Sequence, residues 1–221
     1  MPDDPGEPAS TDLAAPGDPL AEERAQWVEL VGDDAVLDGL VRRHRERHRR
    51  YHTLGHVLAV VRHVDELASV EAIGDLGAVV AAAWFHDAVY EPRSSANERA
   101  SARLARRDLT KLGWAGERVE SVATMVEGTT HHRDPDDLGT AVLYDADLAI
   151  LGAAPDEYSA YVANVRAEYA HVDDVAWAAG RSDVLAAFIG RTRIFSTGTG
   201  YARWESSART NVESEIAQLR R

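Results

Sequence analysis

The chain has 221 residues, enough for one sizeable domain and long for two. Its formal charge of −13 argues against a nucleic-acid polymer as a main partner, although local arginines or a metal can still hold a compact anion. There is no Cys, so disulfides and thiolate metal sites are excluded, and any metal must be bound by His and carboxylates.

Residues 1–19 hold most of the eight prolines among acids and small residues, a composition that cannot bury a core, and they read as a disordered tail. The ordered domain is then residues 20–221. A first helix is expected over AEERAQWVELVG, and a second from an N-cap at Asp33 or Asp34 through the basic run Arg42 to Arg50. That run makes His44 and His48 read as solvated. Thr53 can cap a third helix, in which Leu54, Val57, Leu58, Val61, Val64, Leu67 and Ala68 keep helical rhythm. From Leu76 to Phe85 the chain is apolar on every side, the pattern of a helix buried in a core. It runs directly into His86-Asp87.

A charged helix is expected from Ser94 or Ser95, another over 116–130 running into His131-His132, and a second apolar-all-round helix over LGTAVLYDADLAILG. Pro155 opens a helix through Tyr169, and two more cover roughly 174–196 and 202–220, split by a turn at STGTG. No segment alternates as a strand does. The expectation is an all-α domain of about nine helices. With no N-terminal leader pattern and no apolar run of about 18 residues, a soluble, cytoplasmic monomer or homodimer is expected.

A buried imidazole beside a buried carboxylate must be paired, either with each other or through a metal ion. Asp147 poses the same demand in the second apolar helix, and His56 lies near the start of the third. Two imidazoles and two carboxylates suit a borderline or hard divalent ion such as Mn, Fe, Co, Ni or Zn, with Mg a further candidate. His63 lies on the same face as His56 and reads as structural or as an outer neighbour of the site. Tyr158, Tyr161 and Tyr169 read as core.

The order H…HD…D, with an apolar helix before HD and a DADL helix later, resembles the HD-domain superfamily of metal-dependent phosphohydrolases. The closer resemblance is to a bacterial group described as predicted HD phosphohydrolases. The segments that carry it are Tyr51 to His56, Trp84 to Tyr90, Asn97 to Ala102, Thr129 to His132, Asp145 to Gly152, Arg166 to Tyr169, and Gly180-Arg181. They span most of the ordered chain.

The resemblance implies a single HD-domain helical bundle with metal ligands His56, His86, Asp87 and Asp147. Its expected activity is hydrolysis of a nucleotide or other small phosphate ester by metal-activated water, with Asp87 or Asp147 taking the water's proton. YHTLGH also resembles the YHNxxH of cyclic-nucleotide phosphodiesterases, which makes His52 the candidate acid for the leaving group. A surface position is the alternative for His52. His132 is a candidate for binding phosphate or orienting water, with a helix-end cap as alternative. Glu98 can sit near the water, or simply begin a helix. Arg166 and Arg181 can hold phosphate bidentately, or pair with acids. Only His131-His132 is available for a second ion, so one tightly held metal is expected. Two other readings are an HD-fold di-iron oxygenase and a metal-bound ligand-sensing or interaction module.

Overall fold

A computed structural model describes residues 19–133 and 135–221; the tail expected over 1–19 lies almost wholly outside them. Ten α-helices and no strand occur among the described residues. In chain order these are α1 (Ala21–Leu30), α2 (Asp34–His44), α3 (Leu54–Ala68), α4 (Leu76–Phe85), α5 (Asn97–Lys111), α6 (Gly116–Gly128), α7 (Leu138–Leu148), α8 (Pro155–Glu168), α9 (Asp174–Ile189) and α10 (Gly198–Leu219). A 3₁₀ turn, Ala149–Gly152, continues α7. No helix of the described residues is long and apolar enough to cross a membrane.

Helix α4 is the hub, packing against α1, α3, α5, α6 and α7. Every residue from Gly77 to Phe85 is buried, which is why its sequence has no polar face. Asp75 starts it by accepting from the Ala78 N–H. Helix α7 is almost as enclosed; only Leu138 and Asp147 of its eleven residues are not buried. The two central helices therefore place His86-Asp87 and Asp147 at the edge of the apolar core, and α3 brings His56 beside them.

Several boundaries differ from expectation for identifiable reasons. Helix α2 stops at His44, and the basic run beyond it forms turns. His44 is fully buried, not solvated: its Nε2 donates to the Trp84 carbonyl at 3.0 Å. Burial pushes its pKa down to about 3, so it stays neutral. Arg49, in the same run, is 3% exposed. His48 does remain exposed. Helix α5 begins at Asn97, later than the serines, and α9 ends at Ile189. The STGTG segment is not only a turn: Thr197 caps α10 by accepting from the Gly200 N–H, so the helix opens at Gly198.

Candidate metal centre

Asp145 and Asp147 project from opposite sides of α7, as residues two apart on a helix must. Asp145 accepts from the Ser196 and Thr197 N–H groups and the Thr197 hydroxyl, at 2.7–2.8 Å, and so fixes the start of α10. Asp147 faces the other way, toward α3 and the end of α4. Its Oδ1 lies 3.1 Å from His56 Nε2 and 3.6 Å from His86 Nε2. Asp87 Oδ2 lies 3.1 Å from His86 Nε2 and 3.6 Å from His56 Nε2. The two imidazole nitrogens are 3.2 Å apart.

These spacings can be compared with those of ligands on one ion. Ligands about 2.1 Å from an ion lie about 3.0 Å apart at a right angle and about 3.4 Å apart at the tetrahedral angle. The donor chemistry fits as well. His86 Nδ1 donates to the Ala83 carbonyl at 2.7 Å, which leaves its Nε2 to face the cluster. His132 Nε2 donates to Asp147 Oδ2 at 2.7 Å, which fixes the carboxylate and turns Oδ1 toward the imidazoles. Among the described residues, His56, His86 and Asp147 form a group whose donor atoms all lie within 4.8 Å of one another. Burial disfavours charge on His86, but Asp87 and Asp147 outweigh it and push its pKa up to about 10. Burial likewise opposes charge on the two carboxylates, and His86 outweighs it, holding both well below the usual range.

His52 lies beside this cluster, its ring 5.9 Å from that of His56 and stacked on Tyr90 at 4.2 Å. Its Nδ1 donates to Glu168 Oε2 at 2.7 Å. Glu168, at the end of α8, also accepts from the backbone N–H of Arg50, Tyr51 and His52 and from the Tyr90 hydroxyl. Burial opposes its charge, but His52 and these N–H groups hold its pKa at about 2. Burial also opposes charge on His52, yet Asp87 and Glu168 raise its pKa. Glu168 escaped the sequence reading although it sits within the Arg166 to Tyr169 segment, because nothing local marks it as buried. Arg49 escaped too, hidden in a basic run. Its guanidinium donates to the carbonyls of His52 (2.9 Å), Asp87 (2.8 Å) and Ala88 (3.3 Å), tying the His52 loop to the turn after α4.

The other expected site residues do not join the His56, His86, Asp87 and Asp147 cluster. Arg166 donates to the Tyr169 and Val172 carbonyls and pairs with Asp174, so it closes the α8–α9 turn. Arg181 is nearly buried and pairs with Glu215 at 2.8 Å and Tyr161 at 2.9 Å. Glu98 is half-buried in the first turn of α5, with an electrostatic interaction to Tyr169. The conspicuous residues near it are structural: Asn97 brackets the Glu91 backbone and Ser101 the Val89 backbone, securing the chain just after Asp87. His131 is exposed, and the carbonyls of both His131 and His132 accept from Arg191. His63 donates to Glu66 and packs edge-on to Trp204.

Two cavities flank the cluster. One, of about 490 Å³, is lined by His56, Asp147 and His63 together with Arg50, Arg62 and Arg203. Arg203 pairs with Glu66, and the Arg50 guanidinium donates to the Arg47 and Arg49 carbonyls. The other, of about 410 Å³, is lined by His52 and by aromatic side chains. Tyr51 and Tyr161 border both. Comparison of the chain with protein-family models, with curated proteins and with solved structures finds no match.

Proposed function

We propose that the protein is a metal-dependent phosphohydrolase of the HD type, acting on a nucleotide or another small phosphate ester. The observation that carries this reading is the convergence of His56, His86, Asp87 and Asp147, from three separate stretches of chain, at 3.1–3.6 Å spacing. These four side chains would hold one divalent ion. Such an ion supplies a Lewis acid and lowers the pKa of a water toward neutrality.

The chain's own residues supply the rest. His132 keeps Asp147 oriented through their shared hydrogen bond. Arg50 and Arg62, in the cavity that His56 and Asp147 border, offset the charge of a phosphoryl group and take the part first considered for Arg166 and Arg181. Asp87 and Asp147 are the carboxylates available to accept the water's proton. His52, its Nδ1–H engaged by Glu168, keeps Nε2 free to deliver a proton to the leaving oxygen. Asp87 and Glu168 raise its pKa, which favours the proton-carrying form.

The test is a panel of nucleotides and phosphomonoesters assayed for released phosphate with added Mn, Co, Ni or Mg. Phosphate release that disappears in His86→Ala is expected. Release from no substrate with any of these metals would overturn the reading.

A further inference from the structure

We propose that the aromatic cavity between α8 and α9 is the leaving-group pocket of this same site and takes a planar, uncharged ring. The leaving-group role rests on the hydrolase reading; the ring site does not. If His52 protonates the leaving oxygen, the departing alcohol must lie on the side that His52 faces, and His52 lines this cavity. Around it stand Tyr51, Tyr161, Tyr169 and Trp177, with Arg181 in the wall. Tyr51 and Tyr161 meet edge-to-face at 4.6 Å, and Tyr169 packs 5.5 Å from Trp177. The volume of about 410 Å³ falls in the range of small-molecule sites.

Four aromatic rings also suit a quaternary ammonium group, but arginine guanidinium groups already occupy two of them. The Arg166 guanidinium already lies 5.3 Å from the Trp177 ring centre and Arg181 lies 5.2 Å from that of Tyr161. Arg181 is itself neutralised by Glu215, so an anion gains little either. A neutral ring that stacks is the class left.

Gly180 points the same way. It sits in the middle of α9, where glycine costs about 1 kcal/mol relative to Ala. Its φ is not left-handed, and a Cβ built on it meets no atom within 4 Å. Neither turn geometry nor close packing asks for glycine there. It lines the cavity, and the missing side chain leaves that space open.

The ring can come from a nucleoside or from a simple aryl alcohol, and calorimetric titration of the full chain with adenosine, thymidine and phenol separates the two. Gly180→Leu and Gly180→Ala are titrated in parallel. At least one probe is expected to bind the unmodified chain, with Gly180→Leu weakening it by about tenfold or more and Gly180→Ala by less. Melting temperatures should stay level or rise, since the variants improve helix propensity, and inorganic phosphate with Mn should bind all three proteins alike. No binding of any probe, or equal binding by Gly180→Leu, would overturn the proposal. The probes carry no phosphate and need no metal. Ring binding in a protein that hydrolyses no ester sinks the hydrolase reading and leaves the ring site. Hydrolysis of ring-bearing esters that ignores Gly180→Leu overturns the pocket alone.

Discussion

Two carboxylates of one motif, Asp145 and Asp147, do unrelated work, and single substitutions should separate them. Asp145→Ala leaves the Ser196 and Thr197 N–H groups without their acceptor, at a cost of about 1–3 kcal/mol each where buried. Urea denaturation should show that loss while the metal content stays unchanged. Asp147→Ala, by contrast, should strip the metal, as should His86→Ala; stoichiometric metal retained by either protein would refute the ligand assignment. His52→Ala should keep the metal and slow turnover about 10²–10⁴-fold on an alkyl phosphate. Its effect on p-nitrophenyl phosphate, whose leaving group needs little protonation, should be much smaller. Glu168 gives a pH test. Its folded pKa of about 2 lies below the ordinary value of 4.5, so its stabilisation is present above pH 4.5 and fades as pH falls toward 2. The urea midpoints of the unmodified chain and Glu168→Gln should therefore differ most near pH 5.5 and approach each other by pH 3.

At the scale of elements, the α10 start offers a coupled pair. A Cβ on Gly200 would lie 2.5 Å from Asp145 Oδ2, so Gly200→Ala should displace the same cap that Asp145→Ala removes. The double variant should then lose little more than either single one, in place of the sum expected for independent sites. This junction also shows where sequence reading stops. Helices α3 and α4 were legible to the residue because apolar spacing encodes them directly. The opening of α10 was not, since Gly198-Thr199-Gly200 looks like a turn until Asp145, more than fifty positions away, is seen to hold it. His86, Asp87 and Asp147 could be singled out because polar groups in or beside apolar helices are visible locally, and His56 joined them through the order of motifs in the resemblance. Glu168, Arg49 and the cavity arginines could not, because their roles depend on which loops meet in three dimensions. Tyr161 does pack against the core as expected, but that it and Tyr169 also border cavities was not visible in the sequence.

For the molecule as a whole, the metal count separates a hydrolase from a di-iron oxygenase. The His56 and His86 nitrogens each lie within 3.6 Å of an Asp87 and an Asp147 oxygen, and His132 is already bonded to Asp147. Close to one ion per chain is expected after dialysis, with no oxygen uptake on any substrate. Two irons per chain with a mixed-valent EPR spectrum would make the oxygenase the better reading. An ion held by these side chains would bind the folded chain alone, so a chelator should lower the melting temperature and added metal restore it.

The reach of Glu168 has a consequence for how the protein is made. Its carboxylate gathers the N–H groups of residues 50 to 52, which left the ribosome more than a hundred residues earlier. Three of the four proposed metal donors have emerged by Asp87, but Asp147 follows roughly 60 residues later, an interval of about 3–12 s at ordinary rates of synthesis. Throughout it the nascent chain carries His56, His86 and Asp87 with neither the fourth ligand nor the carboxylate that seats His52. A metal bound by the full set of four would then be captured only after Asp147 has emerged, late in the chain's maturation.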